Sequence, residues 1–115
     1  MTVSPLQGRQ AFKQVFMQGN RHQQDGLVIY WAPNGLQHTR CGIAIKAKAG
    51  KAVVRNRARR WMRELLRRWQ DALAPGWDLI ILVRTPAIIQ SYRYFVQQLK
   101  AALLLTRIAE GPLEG

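Results

Sequence analysis

The stretch that decides the fold is VVRNRARRWMRELLRRWQDAL, residues 53–73. Apolar residues recur in it at steps of three and four: Val54, Ala58, Trp61, Met62, Leu65, Trp69, Ala72 and Leu73. This is the spacing of one face of a helix. Asn56, Arg60, Arg63 and Arg67 fall on the opposite face, and Pro75-Gly76 ends the pattern. The sequence therefore predicts a long amphipathic helix that buries one side and exposes arginines on the other.

Three apolar segments around this helix predict strands. In the segment Leu27 to Ala32, Leu27, Ile29 and Trp31 fall on one face of a strand and Val28, Tyr30 and Ala32 on the other, and the segment Arg40 to Lys48 alternates in polarity. The Pro33-Asn34-Gly35 turn signal between them favours an antiparallel hairpin. The segment Asp78 to Arg84 is apolar on both faces, which is typical of a central strand.

Two further helices complete the pattern. One is predicted from Pro5 to Gln18, with Ser4 as N-cap and Gly19 as its end, and the last from Ser91 to about Ile108. The order helix, strands, helix, strand, helix is typical of a small α+β sandwich. A chain of 115 residues forms one domain, here 1–115, and we expect residues 1–4 and 109–115 to be frayed.

Cysteine usage and hydropathy exclude several classes. Cys41 is the only cysteine, so an internal disulfide is impossible, and with His22 and His38 it makes too few ligands for a structural zinc site. The amino terminus does not resemble a secretory signal, and the apolar runs are too short to span a membrane. We expect a reduced, soluble, cytoplasmic protein.

The charge is concentrated in one part of the chain. Lys and Arg number 18 against 6 Asp and Glu, for a net charge of +12. Eleven basic residues lie between Arg40 and Arg68, opposed there only by Glu64: Arg40, Lys46, Lys48, Lys51, Arg55, Arg57, Arg59, Arg60, Arg63, Arg67 and Arg68. Such a density indicates a polyanionic partner, either nucleic acid or an anionic membrane.

Several interpretations of the arginines remain open at this point. A solvated face with internal pairs, such as Glu64 with Arg68, leaves most of the charge unneutralised. A membrane-bound helix would have to leave a core that needs its apolar face. Only Asn56 and Gln70 could read base edges, which favours structured RNA recognised by its phosphates over duplex DNA.

The residues Val53 to Glu64, VVRNRARRWMRE, resemble the signature of the bacterial ribonuclease P protein subunit. The resemblance extends over roughly residues 6 to 105, through FKQVF at 12–16, the strand at 27–30, the strand and lysines at 40–50 and LIILVRTP at 79–86. Ala47 and Thr85 stand where the family commonly has lysine, and Trp61 stands where an aliphatic residue is usual.

The resemblance implies an α-β-β-β-α-β-α sandwich with helices on a mixed sheet and a left-handed β-α-β crossover, against the general rule of handedness. It also implies a short extra strand near Asn20 to Gln24. Its partners would be a catalytic RNA and precursor tRNA, with neither membrane nor DNA. The RNA would carry the active site and its Mg²⁺, and would cut the 5′ leader from precursor tRNA. The protein would bind no cofactor of its own.

Two candidate surfaces follow. The RNA-binding surface comprises Arg55, Asn56, Arg57, Arg59, Arg60, Arg63 and Arg67. The leader-binding groove comprises Phe12, Phe16, Val28, Tyr30, Lys46 and Lys48, with small Gly42 and Ala44 leaving room. From spacing alone Phe12 and Phe16 are core residues. The resemblance favours the groove for Phe16 and Tyr30, and leaves Phe12 open.

No catalytic or metal-binding residue is predicted in the chain. His22 and His38 lack a carboxylate or serine partner, and Asp25, Asp71 and Asp78 are scattered along the sequence. The alternative function is a ribosomal or assembly protein that only clamps RNA, which would need no groove for single strands. A nucleoid or transcription factor would differ by preferring duplex DNA.

Overall fold

The structure is a computed structural model that describes residues 3–114. Its elements in chain order are β1 (Val3–Pro5), α1 (Arg9–Gln18), β2 (Asn20–Gln24), β3 (Leu27–Pro33), β4 (Thr39–Ile45), α2 (Ala52–Trp69), β5 (Trp77–Val83) and α3 (Tyr92–Leu105). Short 3-10 turns cover Ala47–Ala49, Gln70–Ala72 and Pro86–Ile89. The α+β class is confirmed, and so is the extra strand at Asn20–Gln24.

The five strands form one mixed sheet in the order β1-β4-β5-β3-β2. Strand β5 is central, as its two apolar faces predicted, and pairs parallel with β4 and antiparallel with β3. The predicted hairpin between β3 and β4 is wrong, because β5 lies between them. A strand that is apolar on both faces buries most surface in the middle of the sheet. The loop after β3 is tied to the start of β5 through Asn34, whose Nδ2 donates to Asp78 at 3.0 Å.

Each face of the sheet has its own helical layer. Helices α2 and α3 cover one face with the main core, which includes Met62, Leu65 and Phe95 packed on strand residues such as Ile29 and Ile81. Helix α1 covers the other face with a smaller cluster: Leu6, Val15 and Ile80 are buried, and Ala11, Phe12, Tyr30 and Ala44 are partly buried around them. The basic helix and the aromatic helix are therefore on opposite sides of the sheet.

Several predicted boundaries differ from the structure. Helix α1 begins at Arg9 after Gly8, because Val3–Pro5 forms β1 and the Leu6 amide continues the ladder to the Cys41 carbonyl at 2.9 Å. Strand β4 ends at Ile45 and gives way to a 3-10 turn. Helix α3 has the predicted cap, with the Ser91 hydroxyl accepting from the Tyr94 amide, and ends at Leu105.

The prediction of frayed ends is wrong for most of the described residues it covers. Val3 and Ser4 pair in parallel with β4, which gives that edge of the sheet a partner. At the other end Ala109 and Leu113 are buried, and Trp69 donates its indole N–H to the Glu114 carbonyl. The carboxyl-terminal segment thus covers apolar surface at the end of α2. Residues 1, 2 and 115 lie outside the described residues.

Candidate nucleic-acid interface

Helix α2 places its charges as the periodicity predicted. Ala58, Met62, Leu65, Leu66 and Trp69 are buried. Asn56, Arg60, Arg63, Arg67 and Arg68 are exposed on the other side, and we call these five residues the α2 ridge. The apolar face of α2 packs in the main core, and this packing fixes the helix in place. The charges of the ridge are solvated by water, so the helix does not depend on ion pairs to neutralise them.

One acidic residue opposes the ridge. Glu64 pairs with Arg67 at 2.5 Å, rather than with Arg68 as the spacing had suggested. Both side chains are about half exposed or more, at 49% and 69%, so this pair contributes at most about 1 kcal/mol to stability. The ridge therefore keeps most of its positive charge.

Arg40 belongs to the fold rather than to the basic surface. Its guanidinium forms a two-pronged pair with the Asp78 carboxylate, at 2.8 and 2.6 Å, across the parallel strands β4 and β5. Burial raises the pKa of Asp78, but hydrogen bonds from Arg40 and Asn34 outweigh it and hold the pKa below its usual value. The sequence pattern grouped Arg40 with the unopposed charges, and that is wrong because Asp78 is close in space though distant in sequence.

Three of the predicted RNA-binding arginines are half-buried and have partners within the chain. Arg55 Nε donates to the Gly50 carbonyl at 3.1 Å, at the start of α2. Arg57 lies over the Trp61 ring at 4.9 Å and donates to the Ile89 carbonyl at 3.3 Å. Arg59 donates to Asn56 Oδ1 at 3.2 Å. The structure thus divides the seven predicted residues into four that are exposed and three that are half-buried. Of the half-buried three, Arg55 and Arg57 bond to main-chain carbonyls, whereas Arg59 bonds only to the exposed side chain of Asn56.

The predicted leader groove contains a cluster of three rings on the α1 side of the sheet. Phe16 meets Tyr30 edge to face, with ring centroids 4.7 Å apart, and Phe12 lies 6.3 Å from Phe16. We call Phe12, Phe16 and Tyr30 the aromatic platform. Phe16 is 39% exposed, so the platform presents an aromatic surface to solvent.

Other predicted groove residues take different positions. Val28 is fully buried in the middle of the sheet and cannot touch a ligand, so its assignment to the groove lining is wrong. The room expected above Gly42 is filled by Phe12, since a Cβ at Gly42 would lie 2.3 Å from that ring. Lys46 and Lys48 are exposed just after β4.

Arg21 is a neighbour of the platform that the sequence pattern did not reveal. Its guanidinium lies 5.9 Å from the Tyr30 ring centroid, and its Nε donates to the Tyr30 hydroxyl at 3.4 Å. The contact arises because Arg21 pairs with Tyr30 across β2 and β3. The segment Asn20–Gln24 is polar throughout, so hydrophobic periodicity does not predict a strand there. The register of a β2–β3 hairpin is the signal that would have found Arg21.

The remaining titratable residues form no catalytic constellation in the part of the chain the structure describes. His22 bonds to the Gln24 side chain at 3.0 Å, not to a carboxylate. Residues 3–114 contain no group of three or more His, Cys, Asp and Glu side chains placed to hold a metal ion. None of the described helices is long and apolar enough to cross a membrane.

Comparison with known proteins finds ribonuclease P proteins, both by family model and by sequence. The ribonuclease P family model matches residues 2–108. The ribonuclease P protein component of Picosynechococcus is 37% identical over 101 residues, covering 87% of each chain, and that of Thermotoga maritima is 37% identical over 79 residues, covering 69% of this chain and 68% of its own.

Solved structures agree with the sequence comparison. The ribonuclease P protein of Thermotoga maritima superposes with a TM-score of 0.76 at 32% identity, covering 94% of this chain and 99% of its own. That of Staphylococcus aureus gives a TM-score of 0.85, covering 92% of this chain and 97% of its own. At 23% identity the second match supports the fold alone.

Proposed function

Since this chain belongs to the ribonuclease P protein family, and so serves as a ribonuclease P subunit in tRNA processing, we propose that its two sides bind two different RNAs. The α2 ridge binds the catalytic RNA. The aromatic platform binds the unpaired 5′ leader of precursor tRNA. The observation that carries the proposal is the placement of a basic helix and an exposed aromatic cluster on opposite faces of one sheet.

The chemistry of the ridge suits a folded RNA. Guanidinium groups meet phosphate oxygens with paired hydrogen bonds, and Arg60 and Arg63 are exposed without an acidic partner among the described residues. Base-reading side chains are scarce on the ridge, where Asn56 is the only amide. Recognition through phosphates and shape is the mode that structured RNA requires.

The chemistry of the platform suits a single strand. Unstacked bases pack on aromatic rings, at about 1–3 kcal/mol per base, with little dependence on sequence. Phe16 supplies the exposed ring, and Arg21 and Lys46 supply charge for the strand's phosphates. A protein that must accept many leader sequences needs this kind of tolerant contact.

In this proposal the catalytic RNA carries out the cleavage of precursor tRNA. That RNA, and not this chain, would hold the Mg²⁺ of the reaction, and the metal would supply activation of water and stabilisation of the leaving oxygen. The chain's own residues bind and orient the two RNAs, and none of them enters the reaction. Duplex DNA and membranes have no part in it.

Reconstitution tests the proposal. The protein is added to its ribonuclease P RNA at low Mg²⁺, and release of the 5′ leader from labelled precursor tRNA is followed on a gel. We expect the protein to raise the cleavage rate several-fold or more, with a larger gain for precursors that carry a leader long enough to reach the platform. A protein that binds the RNA but leaves cleavage unchanged would support the RNA-clamping alternative instead.

A further inference from the structure

A third surface feature lies between the α2 ridge and the aromatic platform. A groove of about 560 Å³ runs between α2, strand β4 and the amino-terminal strand β1. We call it the β1–α2 groove. Its volume is in the range of pockets that take a small organic ligand. The α2 ridge accounts for only part of it, and the platform contributes to it through Phe12 alone.

The floor of this groove is apolar. Leu6, Cys41 and Leu66 are almost completely buried beneath it, and Phe12 and Ile43 are partly buried at its sides. The floor is held in place by the β1–β4 pairing, which the Leu6 amide extends to the Cys41 carbonyl. A flat heterocycle could lie on such a surface and gain from removal of its faces from water.

The rim of the groove is basic on one side. Arg59, Arg63 and Arg67 line it at successive steps of four along α2, which places the three guanidinium groups in a row. No carboxylate is among the described residues that line the groove. Gln7 and Gln70 also line it, and a glutamine amide both donates and accepts hydrogen bonds. An apolar floor, a row of guanidiniums and two amides match a base attached to a phosphate chain.

We propose that the β1–α2 groove binds one unpaired nucleotide of the catalytic RNA, with the base on the apolar floor and its phosphates at Arg59 and Arg63. The inference rests on the function proposed above. The nucleotide comes from the catalytic RNA rather than the leader because the groove shares Arg63 and Arg67 with the α2 ridge. Phe16 and Tyr30, where the leader is proposed to stack, are not part of it.

A crosslinking reagent can be attached at one chosen position, because the chain's single natural cysteine, Cys41, is buried. Burial raises the pKa of Cys41 to about 12, so its thiol should resist alkylation. A Gln7→Cys variant places a reactive thiol at the exposed edge of the groove, where a short azidophenacyl group is attached. The matched control is Gln97→Cys on α3, which is also exposed and lies away from the groove. The unsubstituted protein gives the background from Cys41.

Each labelled protein is bound at saturation to its ribonuclease P RNA, with and without precursor tRNA, and the crosslinked nucleotides are mapped by primer extension. We expect the labelled Gln7→Cys protein to crosslink at one or two unpaired nucleotides of the catalytic RNA, in the same place with and without precursor. The labelled Gln97→Cys protein should give at least tenfold less. Adding Arg59→Ala to Gln7→Cys lowers the yield about tenfold at saturation. Adding Arg60→Ala instead weakens binding but leaves the yield at saturation unchanged, because Arg60 does not line the groove.

Three results would overturn the inference: crosslinks on the leader, crosslinks on base-paired stems, or a yield from the Gln7→Cys protein no higher than that from the Gln97→Cys protein. If these occur while the labelled protein still stimulates precursor cleavage, the groove assignment fails and the proposed function stands. If the unlabelled protein neither binds the RNA nor stimulates cleavage, the proposed function fails and the groove assignment fails with it.

Discussion

The α2 ridge and the aromatic platform differ in how the chain builds them. The ridge is one face of one helix, and its residues are exposed because the apolar residues of the same helix are buried. The platform joins Phe12 and Phe16 of α1 to Tyr30 of β3, and its geometry depends on how the helix sits on the sheet. Charge on the ridge acts over a distance and tolerates small shifts. Stacking on the platform requires rings in contact. Mutations should therefore affect the two regions in different ways.

The largest effect is expected on the ridge. The double variant Arg60→Ala/Arg63→Ala removes two exposed guanidiniums and should weaken binding to the catalytic RNA on the order of a hundredfold at low salt, since charge-assisted hydrogen bonds contribute about 1.5–3 kcal/mol each. The slope of log K against log salt should fall in magnitude by about 1.5 units, because each phosphate contact, when it forms, releases roughly 0.7–0.9 of a counterion and two contacts are lost.

A charge-matched control separates contact from net charge. Arg93→Ala/Lys100→Ala on α3 removes the same charge from another surface. If it lowers affinity and slope as much as the ridge variant does, the ridge has no special role and the protein attracts RNA only through its overall charge.

The next largest effect concerns Arg40, whose charge the structure pairs with Asp78. Asp78→Asn breaks the pair and should lower the free energy of unfolding by about 2 kcal/mol at neutral pH, less than for a fully buried pair because Arg40 is 36% exposed. Affinity for the catalytic RNA, measured well below the unfolding temperature, should stay unchanged. A tighter complex would mean that the freed Arg40 belongs to the RNA-binding surface after all.

The same variant makes a prediction about pH. The pKa of Asp78 is lowered in the folded protein, so its stabilising effect is present above the unfolded-state pKa, about 3.9, and is lost as the pH falls through the lower folded value. The difference in stability between the parent and Asp78→Asn should therefore narrow below about pH 4. Urea unfolding of the parent and the variant at about pH 5 and about pH 2.5 measures this difference in stability on either side of about pH 4. A difference that stays constant over this range would contradict a lowered pKa of Asp78 in the folded protein.

The packing beneath the platform gives a smaller effect. A Gly42→Ala methyl would lie 2.3 Å from the Phe12 ring, so the ring must move and α1 with it. We expect a loss of about 1–2 kcal/mol in unfolding free energy and weaker binding of leader-bearing precursor, because Phe12 belongs to the aromatic platform.

A double-mutant cycle isolates this contact. Phe12→Leu removes the ring edge that meets the new methyl, so Gly42→Ala should cost less stability in the Phe12→Leu background than in the parent. Additive effects would show that the two residues are independent and that Phe12 does not rest on Gly42.

The sequence predicted the ridge better than the platform for a physical reason. Helical periodicity is local, so the buried and exposed faces of α2 could be read from residues 53–73 alone. Strand order is not local: the hairpin expected from the Pro33-Asn34-Gly35 turn failed because β5, which begins only at Trp77, inserts between β3 and β4. The same limit hid the pairing of Arg40 with Asp78. The contact of Arg21 with Tyr30 was missed for another reason, because β2 is polar throughout and hydrophobic periodicity does not predict it.

The errors within the groove have a related origin. Alternation along β3 correctly predicted that the side chains of Val28 and Tyr30 lie on one face of the sheet. It could not predict which of the two remains accessible once β2 and α1 are in place. Val28 is fully buried and Tyr30 is not. Likewise, small Gly42 was interpreted as empty space for a ligand, whereas the chain fills that space with its own Phe12.

The most delicate test of the difference between the two regions is Phe16→Leu. The side chain is 39% exposed and belongs to the edge of the small cluster, so the substitution should change the unfolding temperature little. Loss of one stacked base should weaken binding of leader-bearing precursor by about tenfold, near the low end of the range for stacking on an aromatic side chain. Leaderless tRNA and the catalytic RNA should bind as before, and the salt slope should not move, because no charge is lost. Met17→Leu, one residue along and 73% exposed, controls for a change of surface on the same helix. Equal losses for leader-bearing and leaderless substrates would return Phe16 to a structural role and leave the ridge as the only nucleic-acid surface of the two.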